Sequence, residues 1–474
     1  MRTVTLWTVG AVAVLAVPPL GWAERISDFA RPRSAAHAAF LAGGEVASAS
    51  FSSGGDNDTK RPAGTSVPAC SGSCEAGYDP SCYCDGCHGA AASGWFAPDP
   101  SKPNFLQALG IKAGGWVQVG HTFNAEDPAD KYNGPLLTND RASNPQMNQL
   151  WTYVHRPVDT GGAGFDLGGR IDLLYGTDWR VAYFHGLGME GDLSHALLNG
   201  SNQLYGLAIP QFYAEAGLNN LSVKVGRMTG ILGYEICPPM GNFFYSHSYT
   251  ICYGEPVLIT GVMNSYKVTD QLTFLAGAHQ GIHRFEENND KWNVQGGATW
   301  TGPGEMLSLA YAFDMGRNDF IFPLGDEYIH SLVTKLQLTE NLLYVLQSDL
   351  GVADGAGAGP DAEWYGINQY LLATLSEKWS AGMRIEWFRD DDGTRVFGFG
   401  NLDAKGWSGG PGFNGSFTAL TLGLNYKPKI NIFVRPEVRW DWYNGSTNID
   451  GELPFDDGHS SDQLTFATDL VVMF

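Results

Sequence analysis

Two stretches of this 474-residue chain hold residue types that could do chemistry. Cys84-Asp85-Gly86-Cys87-His88 fits the CxxCH pattern, in which two thiols bind haem vinyl groups and the histidine ligates iron. Cys70, Cys74 and Cys82 crowd beside it, and between residues 24 and 104 there is no Met and the only other His is His37. Little apolar material is available there to wrap a porphyrin. Clustered cysteines in an exported protein are most often disulfides, and because five is odd, one thiol is left for a mixed or intermolecular bond. The segment therefore reads first as a disulfide or tether, second as a haem c site at Cys84, Cys87 and His88, and third as a metal knuckle. No resident cofactor or metal is expected.

The second stretch, Ser246-His247-Ser248, sets hydroxyls beside an imidazole. Adjacent residues on a strand face opposite sides, so the triplet makes no nucleophile–base pair without a partner from elsewhere. No GxSxG, HExxH, Walker or dinucleotide pattern occurs. No catalytic residue is assigned and the chain is not expected to be an enzyme. Asp390-Asp391-Asp392 and Asp456-Asp457 could hold Ca²⁺ in external loops, but short acidic runs are usually just solvated.

The remaining chemistry is charge placed at alternate positions. Over Val434 to Trp442, Val434, Pro436, Val438, Trp440 and Trp442 share one face while Arg435, Glu437, Arg439 and Asp441 share the other. Similar segments of about ten residues recur from residue 113 onward, separated by turn residues. Sixteen strands are expected, near 113–123, 147–156, 165–176, 209–218, 221–229, 256–268, 272–281, 292–301, 306–316, 330–338, 342–351, 364–375, 379–390, 417–427, 431–443 and 463–474. Their joins alternate between tight turns, such as Asn219-Asn220 and Thr269 to Gln271, and long loops, such as 177–208, 230–255 and 391–416. Short turns on one side and long loops on the other are the habit of an outer-membrane barrel.

Composition points the same way. Gly numbers 61, charged residues are 17% and aromatics 12%. A mean hydropathy of −0.16 is too polar for a bundle of apolar helices. The net charge of −21 excludes a nucleic-acid binder, which needs clustered Lys and Arg. The expected fold is an all-β transmembrane antiparallel up-and-down barrel of about sixteen strands (14–18), following a disordered segment. Residues 1–23 read as a signal peptide, with Arg2, an apolar run from Leu6 to Leu20 and small residues before a cleavage point. Residues 24–104, rich in Ala, Gly, Ser and Pro, read as a low-complexity periplasmic segment, and 105–474 as the barrel. The last strand ends in Phe474, with Val472, Leu470, Phe466 and Leu464 on its apolar face. That arrangement is like the signal read by the barrel-assembly machinery.

About sixteen strands enclose a water-filled channel. Inward-facing candidates are Arg170, Asp172, Lys224, Lys335, Arg384, Glu386, Arg435, Glu437, Arg439 and Asp441. Glu235 and His247 join them from the loop 230–255, which is read as a constriction element. Cys237 and Cys252 bracket that loop. A disulfide between them would stabilise it by about 3 kcal/mol in the loop-entropy picture. Trp116, Trp151, Tyr153, Trp300, Trp387, Trp440 and Trp442 are candidates for aromatic girdles.

Three blocks carry a resemblance: GGRIDLLYGTDWR (Gly168 to Arg180), VKVGRMTGILGYE (Val223 to Glu235) and NFFYSHSYTICYGEPVLITGV (Asn242 to Val262). In that order and spacing they resemble the β-barrel porin-2 (OmpL-like) outer-membrane proteins, a family associated chiefly with planctomycete bacteria. The resemblance covers the chain after about residue 105. It implies a fold and a bacterial outer-membrane location more firmly than a substrate, and it brings no catalytic residues. The function expected is a porin, a passive and cation-preferring ion and solute channel for small hydrophilic molecules. Its surroundings would be outer-membrane lipid, and a homotrimer would follow from analogy with other sixteen-strand porins. The alternatives are a structural barrel tethered through the N-terminal cysteines and a barrel coupled to a c-type haem.

Overall fold

The structure is a computed structural model. It describes residues 105–182, 204–282, 284, 292–317, 324–355, 361–397 and 412–474. Residues 1–23, read above as a signal peptide, and the five cysteines from Cys70 to Cys87 lie outside these residues.

The period-two alternation folds into one antiparallel sheet that closes on itself. Its segments are β1 (Lys112–Asn124), β2 (Pro145–Arg156), β3 (Phe165–Gly176), β4 (Gly206–Ala208), β5 (Phe212–Leu218), β6 (Leu221–Thr229), β7 (Leu258–Lys267), β8 (Leu272–Ile282) and β9 (Asn293–Thr301). They continue with β10 (Leu307–Arg317), β11 (Leu324–Thr339), β12 (Leu342–Gly355), β13 (Ala362–Thr374), β14 (Trp379–Asp390), β15 (Gly415–Lys429), β16 (Ile432–Gly445) and β17 (Asp462–Met473). Both β4 and β5 pair with β3, Gly206 opposite Gly176 and Leu218 opposite Phe165. They are two lengths of one stave, interrupted where Pro210 lacks the N–H that a ladder needs. The wall is therefore a closed sixteen-strand barrel. β1 pairs with β17 from Trp116–Met473 to Asn124–Thr465, and Gly115 and Phe474 exchange backbone hydrogen bonds of 3.0 and 2.9 Å at the seam.

The strand expected at 209–218 begins three residues later, at Phe212, and the short length Gly206–Ala208 of the same stave precedes it. The strand expected at 330–338 begins six residues earlier, at Leu324, and that expected at 342–351 runs on to Gly355. Among the described residues, no helix is long and apolar enough to cross a membrane.

The sheet's polarity is inverted relative to a soluble protein. Leu150, Val154, Ile171, Val225, Phe274, Leu332, Ile385, Leu422, Leu424, Phe466 and Leu470 are exposed on the outer face. Trp379 stacks on Tyr426 near the turn end (centroids 4.4 Å apart), and Trp387 stacks on Tyr365 near the loop end (6.3 Å). Eight residues of β14 separate the two tryptophans. At a tilt near 40° and ~3.4 Å per residue, the apolar belt between them is about 21 Å tall, close to a lipid band. Trp440 and Trp442 are also exposed on the outside. Trp116 and Trp151 are not girdle residues. They turn inward, 1% and 2% exposed, and stack at 4.9 Å, with Tyr153 inward beside them. Parity decides this, because each lies in phase with an inward polar residue of its own stave, such as Gln118 or Gln149.

Candidate functional site: a loop docked across the lumen

The chain between β6 and β7, residues 230–257, runs into the barrel. Around the ring, β14 and β15 stand half-way from β6 and β7, and the loop reaches them. Irregular backbone inside a barrel must find partners for every N–H and C=O, and the inward charged side chains supply them. The Tyr249 N–H donates to Glu386 at 2.7 Å and its hydroxyl to Asp441 at 2.9 Å. Tyr245 and Ser246 donate their N–H groups to Glu437 at 2.9 and 3.2 Å. Arg384 Nη1 donates to Ser246 O at 2.8 Å, and Arg439 Nη1 donates to His247 O at 2.7 Å. Arg435 Nη1 donates to Pro239 O and Asn242 O at 2.7 and 2.9 Å. These are charge-assisted bonds, about twice as strong as neutral ones.

Within the dock three guanidinium groups, Arg384, Arg435 and Arg439, meet five carboxylates, Glu235, Glu386, Glu437, Asp441 and Asp469. Arg439 sits between Asp441 (2.7 Å) and Glu386 (3.0 Å), and Arg435 pairs with Asp469 at 2.5 Å. Glu235, carried by the loop itself, is the hub. It accepts from Arg384 Nη1 at 2.8 Å, the Tyr370 hydroxyl at 2.9 Å and the Ser248 N–H at 2.9 Å, and it lies 3.1 Å from His247 Nδ1. Burial pushes its carboxyl up, but Arg384 and His247 more than reverse this and hold it well below the usual carboxylate range. Arg384, Glu386, Arg439 and Asp441 are all 0% exposed beneath the loop.

Small residues on the inner wall make room for the loop's rings. A Cβ on Gly120 would lie 2.3 Å from the Tyr245 ring, one on Gly382 2.4 Å from Phe243, and one on Gly366 2.5 Å from the Thr250 hydroxyl. Phe244 packs with Val333, Val345 and Tyr370 on one flank, while Met240 and Cys237 pack with Trp116, Trp151 and Leu174 on the other.

Twelve interior candidates were named from sequence. Arg384, Glu386, Arg435, Glu437, Arg439 and Asp441 face inward and gather with Glu235 and His247 in this dock. Arg170 and Asp172 form a separate inward pair at 2.7 Å, capped by Trp151 Nε1 at 3.1 Å. Lys224 lies over the Tyr213 ring (5.0 Å), away from the dock, and Lys335 lies over the ring of Tyr234 (5.3 Å), a residue of the loop itself, outside the ion-pair cluster.

Cys237 and Cys252 are not joined in this structure. Each thiol sits in its own apolar cluster, Cys237 with the tryptophan pair and Cys252 against Tyr249, Tyr253 and Trp364. Burial pushes the Cys237 thiol up to about 12 and that of Cys252 well above its ordinary value. The loop is closed by ion pairs and rings instead. Ser246 and His247 form no catalytic pair, since the Ser246 hydroxyl accepts from Arg384 and the imidazole turns to Glu235. Asp390 accepts the N–H groups of Thr394, Arg395 and Val396, which ties down its own loop.

Sequence reasoning missed Tyr370, Asp469, Asn368, which accepts from the Thr250 hydroxyl at 3.2 Å, and the pair Glu255–Asp349. Glu255 closes the base of the loop, where Gln347 Nε2 donates to it at 2.5 Å. Burial, and then the Asp349 and Glu235 charges, push the Glu255 carboxyl well above its ordinary value. The available signal was the inward glycines. Gly120, Gly366 and Gly382 recur in phase with the charged face, on strands where a wall without an inner tenant would carry side chains.

A closed barrel with an apolar outer belt, a charged interior and long loops at one end is an outer-membrane β-barrel of the porin class. The chain belongs, through residues 110–474, to the family described as "Putative beta-barrel porin-2, OmpL-like", and its place is the bacterial outer membrane. Among solved structures it is similar to the outer membrane channel DcaP of Acinetobacter baumannii (12% identity, 77% of this chain and 97% of that one, TM-score 0.49). It is also similar to the trimer form of OmpT of Vibrio cholerae (11%, 77% and 99%, TM-score 0.47) and to an anion-selective porin from Comamonas acidovorans (9%, 77% and 99%, TM-score 0.47). Among curated proteins nothing matches the sequence.

Proposed function

We propose that the protein is a diffusion channel for small hydrophilic solutes and ions, with the docked loop 230–257 setting its narrowest point. The observation that carries this is the loop's course across the full width of a polar lumen to β14–β16. Passage is cation-preferring, because carboxylates outnumber guanidinium groups at the dock and the chain carries −21 overall. Single-channel recording in a planar bilayer under a KCl gradient tests both parts. Stepwise conductance with a cation-selective reversal potential supports the reading, and anion selectivity would refute the charge argument while leaving the channel.

The complete burial of Arg384, Glu386, Arg439 and Asp441 favours a second reading, a barrel that serves structure with its lumen largely closed. A folded barrel that stays electrically silent would move the weight there.

A further inference from the structure

Most charged groups on the inner wall have an opposite charge beside them, as with Arg170 and Asp172, Arg384 and Glu235, Arg435 and Asp469, and Arg439 and Asp441. Lys335 on β11 is different. Among the described residues no carboxylate pairs with it, and its Nζ lies 5.3 Å from the centroid of the Tyr234 ring. It stands in the inward row with Ser331 and Val333, opposite Ser308 of β10 and Val345 of β12. Ser308 Oγ is 3.4 Å from Thr301 Oγ1 on the adjoining stave.

This corner is wet where the dock is dry. Lys335, Ser308, Thr301, Thr299 and Leu343 are all half-buried on the inner face, so their open surface is turned to the lumen rather than to lipid. An ammonium partly withdrawn from bulk water and given no carboxylate remains under-compensated. The Tyr234 ring holds it in place through a cation–π contact, but a ring does not neutralise a charge. On β10 and β9 the Ser308 hydroxyl donates to Thr301 Oγ1, which leaves the Thr301 proton as the further donor of that pair.

We propose that Lys335, with Tyr234 beneath it and Ser308 and Thr301 beside it, is a subsite in the channel for the anionic group, carboxylate or phosphate, of a small solute. This rests on the channel reading. In a lumen whose other fixed charges favour cations, an ammonium with no carboxylate partner would hold back a small anion, or the acid group of a larger solute, that the rest of the wall disfavours.

The test uses the refolded full chain and Lys335→Gln, with circular dichroism and heat-modified gel mobility to verify folding of both. Inorganic phosphate, then acetate, is added to one side during single-channel recording in KCl. Concentration-dependent block of the wild-type current is expected, lost in Lys335→Gln, whose cation-over-anion permeability ratio rises by about threefold for removal of one partly screened charge. Independently, acylation of Lys335 by an amine reagent is followed by mass spectrometry with and without phosphate at constant ionic strength. Slower acylation in phosphate, but not in chloride, supports the subsite even if the barrel is silent, in which case only the channel reading falls. Equal acylation in both salts, or a conducting Lys335→Gln channel with wild-type block and selectivity, overturns the proposal.

Discussion

Replacing Glu235 by Gln removes the hub of the docked loop while keeping its shape. The carboxylate is fully buried, 2.8 Å from Arg384 and bonded to Tyr370 and Ser248. Breaking a buried pair from one side typically costs 3–5 kcal/mol, and the lower end is expected here because Glu386 still faces the Arg384 guanidinium at 3.5 Å. At about 1.4 kcal/mol per decade, that range lowers the docked-over-undocked ratio of the loop by roughly 100- to 4000-fold. The strand ladders are untouched, so the barrel should stay closed. Two assays read the result. Hydrogen exchange by mass spectrometry should show faster exchange at the Tyr245, Ser246, Ser248 and Tyr249 amides, with none in β13–β17. Single-channel conductance should rise as the crossing element leaves the lumen. The double variant Glu235→Leu with Arg384→Met removes both charges and should recover part of the protection, since an apolar replacement of a buried pair is often near neutral. Wild-type exchange and conductance in Glu235→Gln would refute the reasoning that the ion pair, rather than the surrounding rings, holds the loop.

Further outcomes follow from the same geometry. Glu235 has a carboxyl held below its unfolded value, so its contribution is complete above about pH 4.5 and drains only as pH falls through the lower folded value. The protection factors of the loop amides, which are exchange rates corrected for the intrinsic pH dependence, should therefore be the same at pH 5 as at pH 7. Glu255 has the opposite sign. Its folded value is raised, so its contribution is present at low pH and is lost as pH rises through that value beside Asp349. An alkaline increase in conductance is expected, and Glu255→Gln should abolish it. Gly382→Leu places side-chain atoms where Phe243 sits and should unseat the loop at an overpacking cost of about 1–3 kcal/mol, read as lost amide protection around residue 243. Leu422→Arg, in the middle of the lipid face, should destabilise the folded barrel by about 2–4 kcal/mol in a urea refolding titration.

The wall was legible because its signal is local. Alternation places Val438, Trp440 and Trp442 outside and Arg439 and Asp441 inside from neighbours two positions apart, with no need of distant partners. The strand beginning at Leu324 was read short because Gly325 and Asp326 disfavour strand, and pairing with β10 and β12 overrides that preference. The dock was only half legible. Arg384 and Asp441 could be placed inside, but the bond from Tyr249 to Asp441 spans 192 positions, and no period in the sequence encodes such a contact. The two loop cysteines show the same limit of local reading. Spacing allows a bridge between Cys237 and Cys252, while packing seats each thiol in a different apolar cluster.

The crossing loop also ties early chain to late chain. Its backbone donors find their acceptors on β14 and β16, which can be in place only when the final staves have joined and β17 has met β1. A slip of one residue in the register of β16 would turn Arg439 and Asp441 toward lipid and Val438 and Trp440 inward, and the loop would then have no seat. The seated loop is thus a proofreader of assembly. A barrel shut in the wrong register would carry this segment unfastened, open to any protease that reaches the barrel mouth, and only a correctly laced wall draws it out of reach.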